Sequence, residues 1–206
     1  MSVAEEAREA KRTIRAAVRT RRAAMTASER AEAKEGLTRE LIGLAERFGA
    51  RSVGCFLSTA DEPDTGPFLD WAAARGIEVL LPISQPDRTL RWAAHGGADP
   101  IPGLHGIPEP PGERLPASVV AGVDLMLIPA CAVDVHGTRL GWGLGYYDRC
   151  LAALPQRPPV YAVVFDADLL PAIPRDPHDV PIDGAVTPGG VLGFSAGSGP
   201  NTGYDQ

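Results

Sequence analysis

Apolar residues along the first fifty positions recur at helical spacing, and beyond them they gather into short runs separated by turn residues. From about Ala4 the pattern is helical, with Ile14, Val18 and Met25 at spacings of four and seven. Lys11 and Arg15 are four apart and so share one face of that helix. Thr26-Ala-Ser-Glu29 reads as a capping box that opens a second helix, which runs to about Phe48 and stops at Gly49. The texture then alternates. Residues 52–57 read as a buried strand, followed by the polar loop STADEPDTG and a helix over about 67–75. A strand over 77–81 is expected to end at Pro82, and 90–94 reads as a further strand. Residues 95–122, rich in Gly and Pro, read as a long irregular connection, the kind of segment that often carries function. A central strand at 124–129, a helix at 145–154 and a strand at 159–165 complete the pattern.

Strands alternating with helices predict an α/β protein, with three α/β/α layers around a mostly parallel sheet. The expected organisation is one domain over 1–187 and a flexible tail over 188–206, where apolar surface is sparse. Composition agrees with a packed core: 44% of the 206 residues are hydrophobic and 22% charged. The N-terminus lacks an apolar signal region, and no apolar run nears the ~18 residues needed to span a bilayer. These features predict a cytoplasmic protein with no membrane partner. Cys55, Cys131 and Cys150 form no CxxC pair and read as buried reduced thiols. A nucleophilic Cys131 with His136 nearby is the sharper alternative, weakened by the lack of a third orienting group.

Charge is uneven. Twelve of the 20 Lys and Arg residues lie in the first 51 positions, against eight of the 26 acids, in a chain of net charge −6. Acids interrupt this basic segment and no aromatic stacking platform is interleaved with it, so nucleic acid is not the expected partner.

The densest chemistry lies in TRLGWGLGYYDR, residues 138–149, between a strand and a helix. Gly141, Gly143 and Gly145 let backbone amides approach phosphate oxygens without interference from a Cβ, and the helix start presents further amides. Arg139 adds a guanidinium fork for the same kind of ligand. A tight packing turn is the competing reading. The dinucleotide fingerprint is excluded because Tyr146 and Asp148 stand where its last glycine would be, and a P-loop because no Gly-Lys-Ser/Thr is present. A carboxylate beside bound phosphates, here Asp148, usually needs a cation between them, which makes Mg²⁺ the natural bridge.

The segments 127–134 (LIPACAVD) and 137–149 (GTRLGWGLGYYDR) closely resemble the signature of the 5-formyltetrahydrofolate cyclo-ligases, also called methenyltetrahydrofolate synthetases. The resemblance extends from Lys11 to about Thr187 and includes KRTIR at 11–15, FLSTADE at 56–62, GIPEP at 106–110 and Pro177-His-Asp179. It implies an ATP-dependent cyclisation of 5-formyltetrahydrofolate to 5,10-methenyltetrahydrofolate with release of ADP and phosphate. The weakly leaving formyl oxygen would be phosphorylated, N10 would attack the formyl carbon, and phosphate would depart. Carried over position by position, Lys11, Arg12 and Arg15 would reach the ATP phosphates. Arg139, Leu140, Gly141, Trp142, Gly143, Leu144, Gly145, Tyr146 and Tyr147 would wrap the nucleotide. The folate would be lined by Arg15, Phe56, Leu57, Glu62, Trp142 and Tyr146, and Mg²⁺ held by Asp148 and Asp179. A monomer acting on small molecules is implied.

Three positions depart from the family pattern: Leu144 where a Gly or Lys is common, Asp166-Ala-Asp168 in place of Glu-x-Gln, and Ile83 where a cation often follows the proline. A sugar-phosphate isomerase or a CoA-transferase-like enzyme could use the same scaffold, and a non-catalytic nucleotide- or RNA-binding protein could use the basic helices. The pairing of Lys11 and Arg15 with Asp148 and Asp179 separates the cyclo-ligase reading from these, since an isomerase needs no metal-triphosphate site.

Overall fold

In the computed structural model, residues 3–176 and 179–194 are described. Helix α1 spans Val3–Ala24 and α2 spans Ala27–Arg47. The expected capping box separates them: Glu29 N donates to Thr26 Oγ1 at 3.3 Å, and Thr26 N donates to Glu29 Oε2 at 2.7 Å. Strand β1 (Ser52–Gly54) leads through α3 (Gly66–Ala74) to β2 (Glu78–Ser84) and β3 (Leu90–Ala94). Strand β4 (Leu125–Pro129) precedes α4 (Tyr146–Ala153), β5 (Val160–Val163), β6 (Gly184–Thr187) and β7 (Gly190–Gly193).

These strands form one sheet in the order β7-β6-β5-β4-β1-β2-β3. The five inner strands are parallel, and the two edges, β7 and β3, run antiparallel to their neighbours. Alternation along β4 shows how the layers form. Leu125 and Leu127 pack with Leu37, Leu41 and Leu44 of α2 and Phe68 of α3, while Met126 and Ile128 pack with Tyr146, Cys150 and Leu151 of α4. Both faces of the parallel sheet are therefore covered by helices, the expected three layers.

Helix α1 lies apart from this sandwich. Val18 packs on Cys131, Ala132, Leu140 and Ile173, against a small sheet in which residues 132–134 pair with 139–140 and with 169–170.

Three expectations need correction. Strand β2 does not end at Pro82 but runs through it to Ser84. Its pairing with β1 ends at the Gly54–Leu80 register, so beyond Leu80 that flank is an edge, where a missing N–H is tolerated. The 95–122 connection is not wholly irregular: it carries a short ribbon between 101–102 and 108–109 and two 3₁₀ turns. Residues 190–193, assigned to the tail, form β7 against β6, with Val191 and Phe194 packing on the two core clusters. The remainder of that expected tail, 195–206, lies outside the described residues.

Candidate functional site

The chain moves from β1 to β2 on one side of the sheet, then returns to β4 on the other side of β1 and continues outward. The switch point between β1 and β4 is where loops diverge and leave a crevice at the carboxyl ends of the strands. A cavity of ≈ 1510 Å³ opens there, lined by residues following β1 (Phe56 to Glu62), the ends of β2 and β4 (Pro82, Pro129), the glycine segment and one face of α1. That exceeds the ~300–1,000 Å³ of a typical single-ligand pocket and leaves room for two substrates. Nine basic and seven acidic residues line it, a cationic excess in a chain of net charge −6.

All the binding and metal residues carried over from the family resemblance line this one cavity. Their present partners are informative. Arg15 Nε donates to the Gly141 carbonyl at 2.8 Å, which fastens α1 to the glycine segment. At Gly141 a Cβ would lie 2.9 Å from Arg139 Nη1, so a side chain there would displace that guanidinium. Gly143 has φ +100°, and Gly145, at the head of α4, has φ +69°; both conformations are hard for any other residue.

Two of the expected phosphate cations, Arg139 and Lys11, are each held by an expected metal carboxylate. Arg139 Nη2 donates to Asp148 Oδ1 at 2.7 Å. Lys11 Nζ, buried at 7% exposure, donates to Asp179 Oδ2 at 2.6 Å and to Asp176 Oδ2 at 2.8 Å. Desolvation pulls the Lys11 ammonium down, but the hydrogen bonds and charges of Asp176 and Asp179 outweigh it and hold its pKa above the usual lysine range. Pro177 and His178, from the same sequence element, lie outside the described residues.

Two buried polar atoms of the glycine segment, Arg139 Nε and the Tyr147 hydroxyl, have no hydrogen-bond partner among the described residues. Burial pushes the Tyr147 phenol well above its ordinary pKa, so it stays protonated as a donor. The Arg139 guanidinium lies 5.8 Å from the Tyr147 ring centre.

Other expected residues are placed differently from a simple ligand contact. Tyr146 packs in the core and its hydroxyl donates to the Gln85 carbonyl at 3.0 Å. Phe56 is a core residue at the rim, and Leu140 is buried under Val18. Arg12 is exposed and paired with Glu9 one turn earlier. Glu62 folds back on its own loop, accepting from Thr59 N at 2.9 Å and Thr59 Oγ1 at 3.0 Å, while still facing the cavity. The Trp142 ring lies under the guanidinium groups of Arg19 and Arg22, at 5.2 and 5.3 Å. The departures from the family pattern are structural as well. Leu144 packs on the core beside Tyr146, Ile83 is buried, and Asp166 accepts from Thr187 Oγ1 at 2.6 Å.

A nucleophilic Cys131 is overturned. Burial pushes its thiol up to about 11, and His136 is exposed. Sequence reasoning missed Arg22, which is 1% exposed. It donates to Asp168 Oδ2 at 3.0 Å, to the Ala130 and Cys131 carbonyls at 3.0 and 3.1 Å, and to the Asp61 carbonyl at 3.2 Å. One side chain thus ties α1 to the loops after β4 and β1. The signal lay in the sequence: Arg22 continues the stripe Lys11, Arg15, Val18 at i+4, i+7 and i+11.

The sequence model of the 5-formyltetrahydrofolate cyclo-ligase family matches residues 7–188. The 5-formyltetrahydrofolate cyclo-ligase of Mycolicibacterium smegmatis is 34% identical over 183 residues, covering 86% of this chain and 93% of that protein. That of Mus musculus is 30% identical over 185 residues, covering 84% and 91%. Among solved structures, the 5,10-methenyltetrahydrofolate synthetase of Aquifex aeolicus superposes with a TM-score of 0.76 at 28% identity, covering 94% of this chain and 97% of its own. The 5,10-methenyltetrahydrofolate synthetase of Mycoplasma pneumoniae, at 18% identity and a TM-score of 0.70, covers 86% of this chain and 98% of its own and shares the fold. With the glycine segment, the basic face of α1 and both acidic groups gathered in one cavity, the chain belongs to the 5-formyltetrahydrofolate cyclo-ligase family.

Proposed function

We propose that this cavity binds Mg-ATP and 5-formyltetrahydrofolate side by side and joins their chemistry. The reaction is the ATP-dependent closure to 5,10-methenyltetrahydrofolate with release of ADP and phosphate. The formyl oxygen attacks the γ-phosphorus and ADP leaves; N10 then attacks the formyl carbon, and phosphate departs as N10 loses its proton. The protein's part is positioning and charge neutralisation. The observation that carries the reading is the Arg15–Gly141 bond, which brings the cationic face of α1 against the segment where glycine stands at 141, 143 and 145.

Lys11, Arg15 and Arg139 take the phosphates, and the orphaned Arg139 Nε and Tyr147 hydroxyl gain partners when ligand enters. Glu62 accepts from pterin nitrogens at the loop after β1. The donor set suits Mg²⁺, which commonly uses one or two carboxylates and completes its shell with phosphates and water. Asp148 engages Oδ1 with Arg139, and Asp179 engages Oδ2 with Lys11, so each has a second oxygen not used in these pairs. Bound Mg²⁺ would neutralise charge on the phosphate oxygens. One chain carries every group this reading uses, so the monomer is the proposed working unit. Three buried thiols suit the reducing cytoplasm.

The test is the near-ultraviolet absorbance of the methenyl product when protein, 5-formyltetrahydrofolate, Mg²⁺ and ATP are mixed. Growth that needs both ATP and Mg²⁺ is expected. Asp148→Asn should lower metal-dependent turnover at least ~100-fold with the thermal midpoint retained; full activity in that variant would refute the metal assignment.

A further inference from the structure

A second cationic element borders the cavity on the β2–β3 side of the sheet. The hairpin between β2 and β3 turns through Gln85-Pro-Asp-Arg88, closed by Arg88 N donating to the Gln85 carbonyl at 3.0 Å and Gln85 N donating to the Thr89 carbonyl at 3.0 Å. Asp87 Oδ1 braces it by accepting from Thr89 N at 3.0 Å and Thr89 Oγ1 at 2.7 Å. In a turn of this kind the residue before the returning strand takes a left-handed backbone, a position that favours glycine or asparagine. Here it is Arg88, with φ 65°, the one non-glycine among the described residues with positive φ.

The turn is docked onto the nucleotide wall. Arg149 Nε donates to the Arg88 carbonyl at 3.2 Å, and its Nη2 donates to the Leu144 carbonyl at 2.6 Å. One guanidinium therefore clamps the hairpin tip to the last turn of the glycine segment. The Tyr146 hydroxyl adds a bond to the Gln85 carbonyl. Arg88 lines the cavity, and the described residues offer its guanidinium no carboxylate partner. A strained position retained in a docked loop beside a binding site points to function rather than to folding.

We propose that Arg88 is a binding residue for a phosphate oxygen of the nucleotide, delivered by the hairpin to the end of the glycine segment. The inference rests on the reading that the glycine segment holds the triphosphate, because Arg149 ties the tip to that segment. Lys11 and Arg15 approach the phosphates from α1, and Arg88 closes on them from the β2–β3 side. The strain at φ 65° is offset by the Arg149 and Tyr146 bonds.

Arg88→Gly separates the two roles that this residue could play. Glycine relaxes the turn, so the thermal midpoint should stay level or rise by up to ~4 °C. The Kd for Mg-ATP by calorimetry, and the KM for ATP, should each rise about 3- to 10-fold, with the KM for 5-formyltetrahydrofolate unchanged. Arg88→Lys should recover part of the ATP affinity. A lowered thermal midpoint with kcat falling and KM for ATP unchanged would show a structural residue and overturn the proposal. A rise in KM for the folate alone would overturn the phosphate assignment in favour of a carboxylate of its glutamyl group. If the parent protein itself bound no Mg-ATP, the reading of the glycine segment would fail first; parent binding with an unaffected Arg88→Gly variant would sink this inference alone.

Discussion

Helices α1 and α2 are neighbours in sequence and nearly equal in length, at 22 and 21 residues, yet they bury opposite chemistry. Helix α2 buries Gly36, Leu37, Leu41, Leu44 and Ala45 against the sheet. It comes so close to the far end of the chain that a Cβ on Gly36 would lie 2.5 Å from the Pro188 carbonyl oxygen. Helix α1 buries Lys11, Val18 and Arg22, with Arg15 half-buried between them. A helix that faces a core needs apolar residues on its inner stripe, whereas one that walls a cavity can place cations there if carboxylates and carbonyls answer them. The stripe of α1 thus lines the cavity, and that of α2 packs the core.

Paired substitutions would break this division if it were wrong. Lys11→Ala should lower kcat/KM for ATP about 10³-fold, roughly 4 kcal/mol of transition-state stabilisation, and cost only about 1–2 kcal/mol of folding stability, because Asp176 and Asp179 keep partial access to water. Leu41→Ala should cost about 2–5 kcal/mol of folding stability and leave turnover per folded molecule near the parent value. Denaturant titration and steady-state kinetics on both proteins decide the matter. Similar losses in stability and turnover for the two would show that α1 and α2 play the same role.

Arg22 sharpens the comparison because it belongs to both categories. Its Asp168 partner is fully buried, and the second cation on that carboxylate, Arg21, is partly exposed. Arg22→Met should therefore cost about 3 kcal/mol, since a buried carboxylate loses its best partner. The double variant Arg22→Met with Asp168→Leu should regain much of that stability. Turnover should not return with it, because the carbonyls of Asp61, Ala130 and Cys131 stay untied in the double variant. Recovery of both together would reduce Arg22 to a purely structural residue.

The fold was legible where local chemistry decides it. The Thr26–Glu29 box, the α2 periodicity and the apolar run of β4 are all short-range signals, and all appear in place. The run through Pro82 was hidden because it depends on where a neighbouring strand stops, and β7 because two apolar residues, Val191 and Phe194, are diluted in a Gly- and Ser-rich stretch. The glycine segment stood out by its residue types alone, and it lines the cavity. Its present partners did not stand out, since Arg139 with Asp148 and Lys11 with Asp176 and Asp179 join residues up to 168 apart in sequence. Arg88 was invisible for a similar reason: nothing in QPDRT says that its backbone is left-handed or that Arg149 will hold it.

The smallest expected effect uses two cysteines as reporters of the two helices. Cys55 lies in the cluster under α2 and α3, and burial pushes its thiol up to about 12. Cys131 lies under α1. Burial raises it too, but the charge of Arg22, and less strongly those of Arg15 and Arg19, pulls it back against Asp168, to about 11. Both folded values lie above those of an unfolded thiol, so the folded state holds protons that the unfolded chain releases near pH 9. The stability they contribute is complete below about pH 9 and is lost as pH rises through 11 to 12. Alkylation of the native protein, mapped by mass spectrometry, should leave both thiols unmodified at pH 8 and label Cys131 ahead of Cys55 as pH is raised. In Arg22→Met that order should narrow, because the largest charge favouring the Cys131 thiolate is gone. An unchanged order and spacing would mean that the cations of α1 do not reach the thiol beneath them, and that the electrostatic half of the contrast between the helices is mistaken.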